Sequence, residues 1–147
     1  MLNSEQKQKL AALFALEHVA VLITQGEQWP TGTMQAFAET DDLDLLFIMV
    51  ETAEKFQNML KRPHATVLVD TRDVGNVPTF EVARASIQGV AREVARGAEW
   101  ERLKAIFLKK NPFEEPFFRR DTLRMMRITP TRISYANGLR DSFKAEM

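Results

Sequence analysis

Between Leu43 and Val69 the chain runs apolar, then helically amphipathic, then apolar again. Leu43, Leu45, Leu46, Phe47, Ile48, Met49 and Val50 show no polar alternation. That is the pattern of a strand covered on both faces, one side toward a barrel core and the other toward a helix or a second subunit. Thr52 is placed to cap a short helix over Ala53 to Lys61, where Phe56, Met59 and Leu60 stand at i, i+3 and i+4. Pro63 ends it, because the residue before a proline avoids the helical conformation, and Ala65 to Val69 resumes as a strand. The bare amides of the helix's first turn, together with Lys55, form a candidate anion pocket at the mouth of the sheet. The competing reading of Lys55 is a lysine on a solvated helix face.

Upstream, Leu10, Leu13 and Phe14 at helical spacing predict an amphipathic N-terminal helix from about Ser4 to Leu16. His18 to Thr24 predicts a strand and Gly26 to Gly32 a turn carrying Trp29 and Pro30. Thr33 to Glu39 predicts a further strand, with Met34, Ala36 and Ala38 on one face and Thr33, Gln35 and Phe37 on the other. Short polar connections make consecutive strands here antiparallel, since a parallel crossover needs a dozen or more residues. Downstream, Thr71 to Thr79 is a loop, and Phe80 to Val94 predicts a long bent strand with Gly89 at the bulge. Ala98 to Lys110 predicts a helix burying Trp100, Leu103, Ile106 and Phe107, and Phe113 to Phe118 an irregular segment around Pro116. Met125 to Thr129 and Arg132 to Ala136 predict two strands separated by Pro130, with Asn137 and Gly138 as a turn and residues 139–147 as a flexible tail. The fold class is mainly β with helices (α+β): a single domain over residues 1–147, a six- or seven-stranded antiparallel barrel with surface helices.

Composition removes several chemistries. The 147 residues carry 20 Lys plus Arg against 20 Asp plus Glu, so there is no basic excess for nucleic acid. There is no cysteine, which excludes disulfides and thiolate chemistry, and with only His18 and His64 a histidine metal cluster is not supplied. No apolar run reaches the ~20 residues of a membrane span, and the polar start of the chain has no leader-like pattern. A soluble cytoplasmic protein is the expectation. Nothing in the pattern forms a phosphate-binding glycine loop or a compelling carboxylate pair.

The order VAVLIT, TMQAFA, DDLDLLFIMV, TAEKFQNML, RPHATVLVDTR and SIQGVAREV resembles the FMN-binding split barrel of the pyridoxamine 5'-phosphate oxidase-like superfamily, from about His18 to Tyr135. The resemblance implies a homodimer with two FMN molecules at the subunit interface. It matches Lys55 to the phosphate-binding lysine. Thr33, Met34, Gln35 and Ala36 match the strand against the flavin, Met49 and Val50 the strand end beside the ring, and Arg72 a basic residue near the cofactor. Relatives carry Ser or Thr and then Arg where this chain has Ala53 and Glu54. The residues that fix pyridoxine phosphate in the oxidase have no match here. The implied activity is therefore an FMN-dependent oxidation or reduction of an unidentified small molecule. The alternatives are a flavin- or haem-storing module and a dimer that has lost its cofactor.

Overall fold

The computed structural model describes residues 1–147. Eight strands form one sheet: β1 (Val19–Gln25), β2 (Pro30–Ala36), β3 (Ala38–Glu39), β4 (Leu45–Val50), β5 (His64–Asp70), β6 (Arg84–Glu93), β7 (Leu123–Asn137) and β8 (Asp141–Glu146). The order is β2-β1-β5-β6-β7-β4-β3, with β8 also on β7, and every pairing is antiparallel. Three helices complete the chain: α1 (Ser4–Leu16), α2 (Glu54–Lys61) and α3 (Ala98–Lys110). No helix is long and apolar enough to cross a membrane.

The curled sheet has two apolar layers. Leu22, Phe47, Met49, Val67, Ile87 and Ile133 fill the inside with Phe14 of α1 and Phe56 of α2. Leu46, Leu123 and Met125 face outward and are covered by Trp100, Leu103 and Phe107 of α3 with Phe118. The uninterrupted apolar run of β4 follows from this: its two faces belong to two cores, and the covering element on the outside is α3.

Several elements differ from expectation, each for a visible reason. Thr33 to Glu39 is not one strand. The Phe37 N–H donates to the His18 carbonyl at 3.2 Å, but the Phe37 carbonyl accepts from Asn111 Nδ2 at 2.8 Å, so the chain leaves β1 there and pairs onward with β4 as β3. Strand β2 begins earlier, at Pro30, inside the expected turn. The strand expected from Phe80 starts at Arg84, after a 3-10 turn at Thr79–Glu81. Thr52 is not the cap of α2. The Ala53 N–H closes a turn onto the Val50 carbonyl at 3.0 Å, which puts Ala53 in the cap position with no capping side chain. The two strands expected around Pro130 are one, because Thr131 is the extra residue of a bulge between Gln88↔Arg132 and Gly89↔Pro130, where a proline loses no ladder bond. The expected bulge glycine is confirmed: a Cβ on Gly89 would lie 2.6 Å from the Thr129 carbonyl oxygen. Residues 141–146, expected to be a loose tail, are β8, held to β7 by its ladder and by Phe143 stacked on Tyr135 at 5.0 Å.

The β3–β4 turn stores strain. Leu43 is buried yet has φ +67°, a left-handed conformation that costs a non-glycine residue about 1–2 kcal/mol. Its side chain belongs to the inner core, whose contacts outweigh that cost. Leu43→Ala should therefore destabilise by about 2–3 kcal/mol, whereas Leu43→Gly, which relieves the backbone, should be no less stable than the alanine variant. Urea unfolding of the pair checks this; a glycine variant weaker by about 1 kcal/mol, the usual order at ordinary backbone positions, would contradict it.

Candidate functional site

The sheet comes apart between β2 and β4. Ala38↔Leu46 is the last backbone pair of the β3–β4 ladder. One step further the connection is a side chain, Gln35 Nε2 donating to the Ile48 carbonyl at 3.2 Å. Beyond that, β2 pairs only with β1, so its other edge is open. Two side-chain oxygens facing this split, Thr33 Oγ1 and Gln35 Oε1, are buried without any hydrogen-bond partner. Buried polar atoms are almost always satisfied, so such a pair on one strand marks a candidate place for a polar partner, an ordered water or a ligand.

Helix α2 sits beside the split. Its buried face carries Phe56, Asn58 and Met59. Asn58 Nδ2 donates to Thr24 Oγ1 at 3.1 Å and to Thr31 Oγ1 at 3.4 Å, while those two hydroxyls lie 3.1 Å apart across the β1–β2 pair. This polar knot fixes the rotation of α2 against β2. Lys55 stands one turn before Asn58 and so on the same side. It is half-buried, makes no ion pair, and burial alone holds its ammonium below the ordinary lysine range. The amides of Glu54 and Lys55 at the helix start have no acceptor. Of the nearby carboxylates, Glu51 is taken by Arg124 at 2.6 Å and Glu54 is exposed. An uncompensated cation and free amides together form a candidate anion-binding corner.

The expected site residues separate into two groups. Thr33 and Gln35 stand on the inner face of β2, and Lys55 stands on the side of α2 that carries Asn58, which is bonded to Thr24 and Thr31. Met49 lines the inner core, and Val50 ends β4 just before α2. Ala36 faces outward onto the α3 layer. Met34 and Arg72 lie on the outside of the sheet, in a cleft of about 220 Å³ with His18, Val21 and Leu68. Arg72 is engaged there by Asp70, through Nε at 2.7 Å and Nη2 at 2.6 Å, and this pairing lowers the Asp70 carboxyl below its usual value. Arg72 is thus a partner of Asp70 and stands outside the split. Asn58, the anchor of α2, is not among the residues the sequence singles out; the signal that marks it is an asparagine on an otherwise apolar helix face. No group of His, Cys, Asp and Glu has the arrangement to hold a metal ion.

Comparison with known proteins agrees with this architecture. Among curated proteins none matches the sequence significantly. Solved structures do match the fold. A haem-binding protein from Mycobacterium smegmatis superposes with TM-score 0.86 at 16% identity over 99% of this chain, which spans 60% of that protein's length. A protein from Listeria innocua described as a candidate pyridoxamine 5'-phosphate oxidase gives 0.71 at 19% identity, over 90% of this chain and 98% of that one. HutZ, the haem storage protein of Vibrio cholerae, gives 0.74 at 15% identity, over 95% and 94%. The family model for pyridoxamine 5'-phosphate oxidase matches residues 6–137, the whole span from α1 to the end of β7 that builds and flanks the split. The chain belongs to the pyridoxamine 5'-phosphate oxidase family of split barrels.

Proposed function

We propose that this protein is a homodimeric flavoprotein that holds FMN in the split between β2 and β4 and uses it to oxidise or reduce a small molecule. The observation that carries the reading is the pair of orphaned oxygens, Thr33 Oγ1 and Gln35 Oε1; an unpaired half-buried lysine on α2 supports it. A flavin mononucleotide carries both complements, polar ring and ribityl groups at one end and a phosphate at the other. Lys55 and the Glu54 and Lys55 amides hold the phosphate. Thr33 hydrogen-bonds a polar atom of the ring or ribityl chain, and Gln35, whose nitrogen is spent on Ile48, offers its oxygen to a donor. When bound, the flavin supplies hydride or electron transfer at its ring. The protein's part is to position the ring along β2 and to exclude water with the Met49 and Phe47 side of the core.

An exposed apolar row supports the second copy. On the outside of β1, β2 and β5, Met34 is 67% and Val19 44% exposed, beside half-buried Val21 and Leu68. Val21 pairs with both Met34 and Leu68, so these three form one apolar row across the sheet. A partner copy against this row brings the Met34 and Arg72 cleft into the same assembly as the split. A haem-holding reading is supported by a separate observation: His18 and Met34, both side chains of haem-ligating type, line that outer cleft.

Absorption spectra separate these readings. Incubated with FMN and freed of excess, the protein should be yellow and elute at twice 16.8 kDa. Loss of the flavin on desalting, with retention of added haemin and a Soret band that His18→Ala abolishes, would favour the haem reading. Colourless protein that retains neither would leave the cofactor-free reading.

Lys55 gives a prediction of opposite signs. With its folded-state pKa lowered by burial, the folded protein binds fewer protons than the unfolded chain. Its contribution is therefore unfavourable below the lowered value and is relieved as pH climbs toward the ordinary 10.5. Lys55→Met should leave the cofactor-free protein equally or more stable at neutral pH, while weakening FMN by about 1–3 kcal/mol, the loss of a charge-assisted contact. Thermal unfolding and fluorescence titration check both; unchanged FMN affinity refutes the assignment.

A further inference from the structure

A cavity of about 620 Å³ lies between the C-terminal half of α1, the last turns of α3 and the β3–β4 turn, within the size range of small-molecule sites. It stands where the two apolar layers meet: Ala11 and Leu43 come to it from the inner layer and Ile106 from the outer. Its charges divide into a matched pair and an unmatched one. Glu39 and Lys110 are 2.6 Å apart, with side chains only 17% and 14% exposed, so they neutralise each other within the wall. Asp41 on the turn and Lys109 on α3 are exposed and belong to no ion pair. Thr40 adds a donor. It is buried, its Oγ1 accepts the Asp44 N–H at 3.1 Å, and the hydroxyl hydrogen is left over. The turn itself is fixed by the Leu43 N–H on the Thr40 carbonyl and the Thr40 N–H on the Asp44 carbonyl, both at 2.9 Å, so the backbone that carries Thr40 and Asp41 is in place before a ligand arrives.

We propose that this cavity binds a free α-amino acid with an aliphatic side chain: its ammonium group on Asp41, its carboxylate on Lys109 and the Thr40 hydroxyl, and its side chain against Ala11, Leu43 and Ile106. Two free charges of opposite sign beside an apolar surface are the complement of a zwitterion with a hydrocarbon body. A ligand with one charge engages one of the two and leaves the other bare, and a peptide terminus, which carries a single charge, is disfavoured for the same reason. Glu39 and Lys110, already paired, add no net charge that would select either sign. The assignment requires no flavin and does not depend on the reading of the split.

The test uses the purified full chain at about 0.15 M salt, titrated by amide NMR with L-leucine, with 4-methylpentanoate, which lacks the ammonium group, and with 3-methylbutylamine, which lacks the carboxylate. Leucine should bind saturably and shift the amides of Thr40, Asp41, Leu43 and Lys109, and each half-charged analogue should bind about tenfold more weakly or worse. Asp41 and Lys109, exposed and free of ion pairs, can be replaced without threatening the fold. Asp41→Asn and Lys109→Gln should each weaken leucine about tenfold, and Lys109→Arg should restore it. The proposal is overturned if leucine does not saturate below about 10 mM, if either analogue binds as tightly as leucine, or if Asp41→Asn or Lys109→Gln leaves affinity unchanged. Binding that survives in Lys55→Met places the site apart from the split; binding lost in that variant overturns the assignment to this cavity.

Discussion

Everything at the candidate site follows from the point where the β3–β4 ladder stops and the neighbouring edge of β2 is left unpaired. A ladder that ran on from Ala38↔Leu46 would zip the barrel shut and satisfy both edges. It does not, because the Phe37 carbonyl is committed to Asn111 at the end of α3 and the next link toward β4 is a side chain. Phe37 is held on two further sides: its ring packs edge-on against Phe14 at 6.2 Å, and Lys110 Nζ lies 3.9 Å from its centroid. The C-terminus of α3, outside the barrel, therefore determines how wide the barrel stands open.

Two half-buried lysines illustrate what partnering means in such a molecule. Burial lowers the pKa of both Lys55 and Lys110. Lys110 donates to Glu39 and to the Phe14 carbonyl, each at 2.6 Å, and so binds α3 to α1 and β3. Its desolvation is offset by contacts within the chain. Lys55 has no such contact, and the neighbouring Glu51 is engaged elsewhere by Arg124. A desolvated ammonium without a partner is costly to keep, and the same arrangement leaves it ready for an anion. Thr33 Oγ1 and Gln35 Oε1 are the two buried side-chain oxygens that the chain itself leaves without a partner.

Much of this was legible in the chain. The two-sided apolar run of β4, the bounds of α3, the short α2 ending before Pro63, and Gly89 as the bulge follow from periodicity and from turn chemistry that acts locally. The face assignment of Thr33 and Gln35 followed from strict alternation. What was not legible depends on partners distant in sequence. The break at Phe37 needs Asn111, 74 residues away, to explain it. The continuity of β7 through Pro130 depends on a bulge opposite Gly89. The placement of Arg72 outside the split follows from its pairing with Asp70, which sequence proximity allowed but did not require. Strand β8 did leave a signal: Phe143 and Ala145 alternate with Ser142, Lys144 and Glu146 just after an Asn-Gly turn, a hairpin pattern masked by its polar composition.

The central claim is that the corner formed by Lys55 and the start of α2 recognises a phosphate. Comparing the affinities of FMN and riboflavin for the same protein isolates that group, since the two ligands share ring and ribityl chain and differ only in the phosphate. The account predicts that FMN binds roughly 10- to 100-fold tighter, with the advantage shrinking as salt is raised. Equal affinity for the two would contradict it.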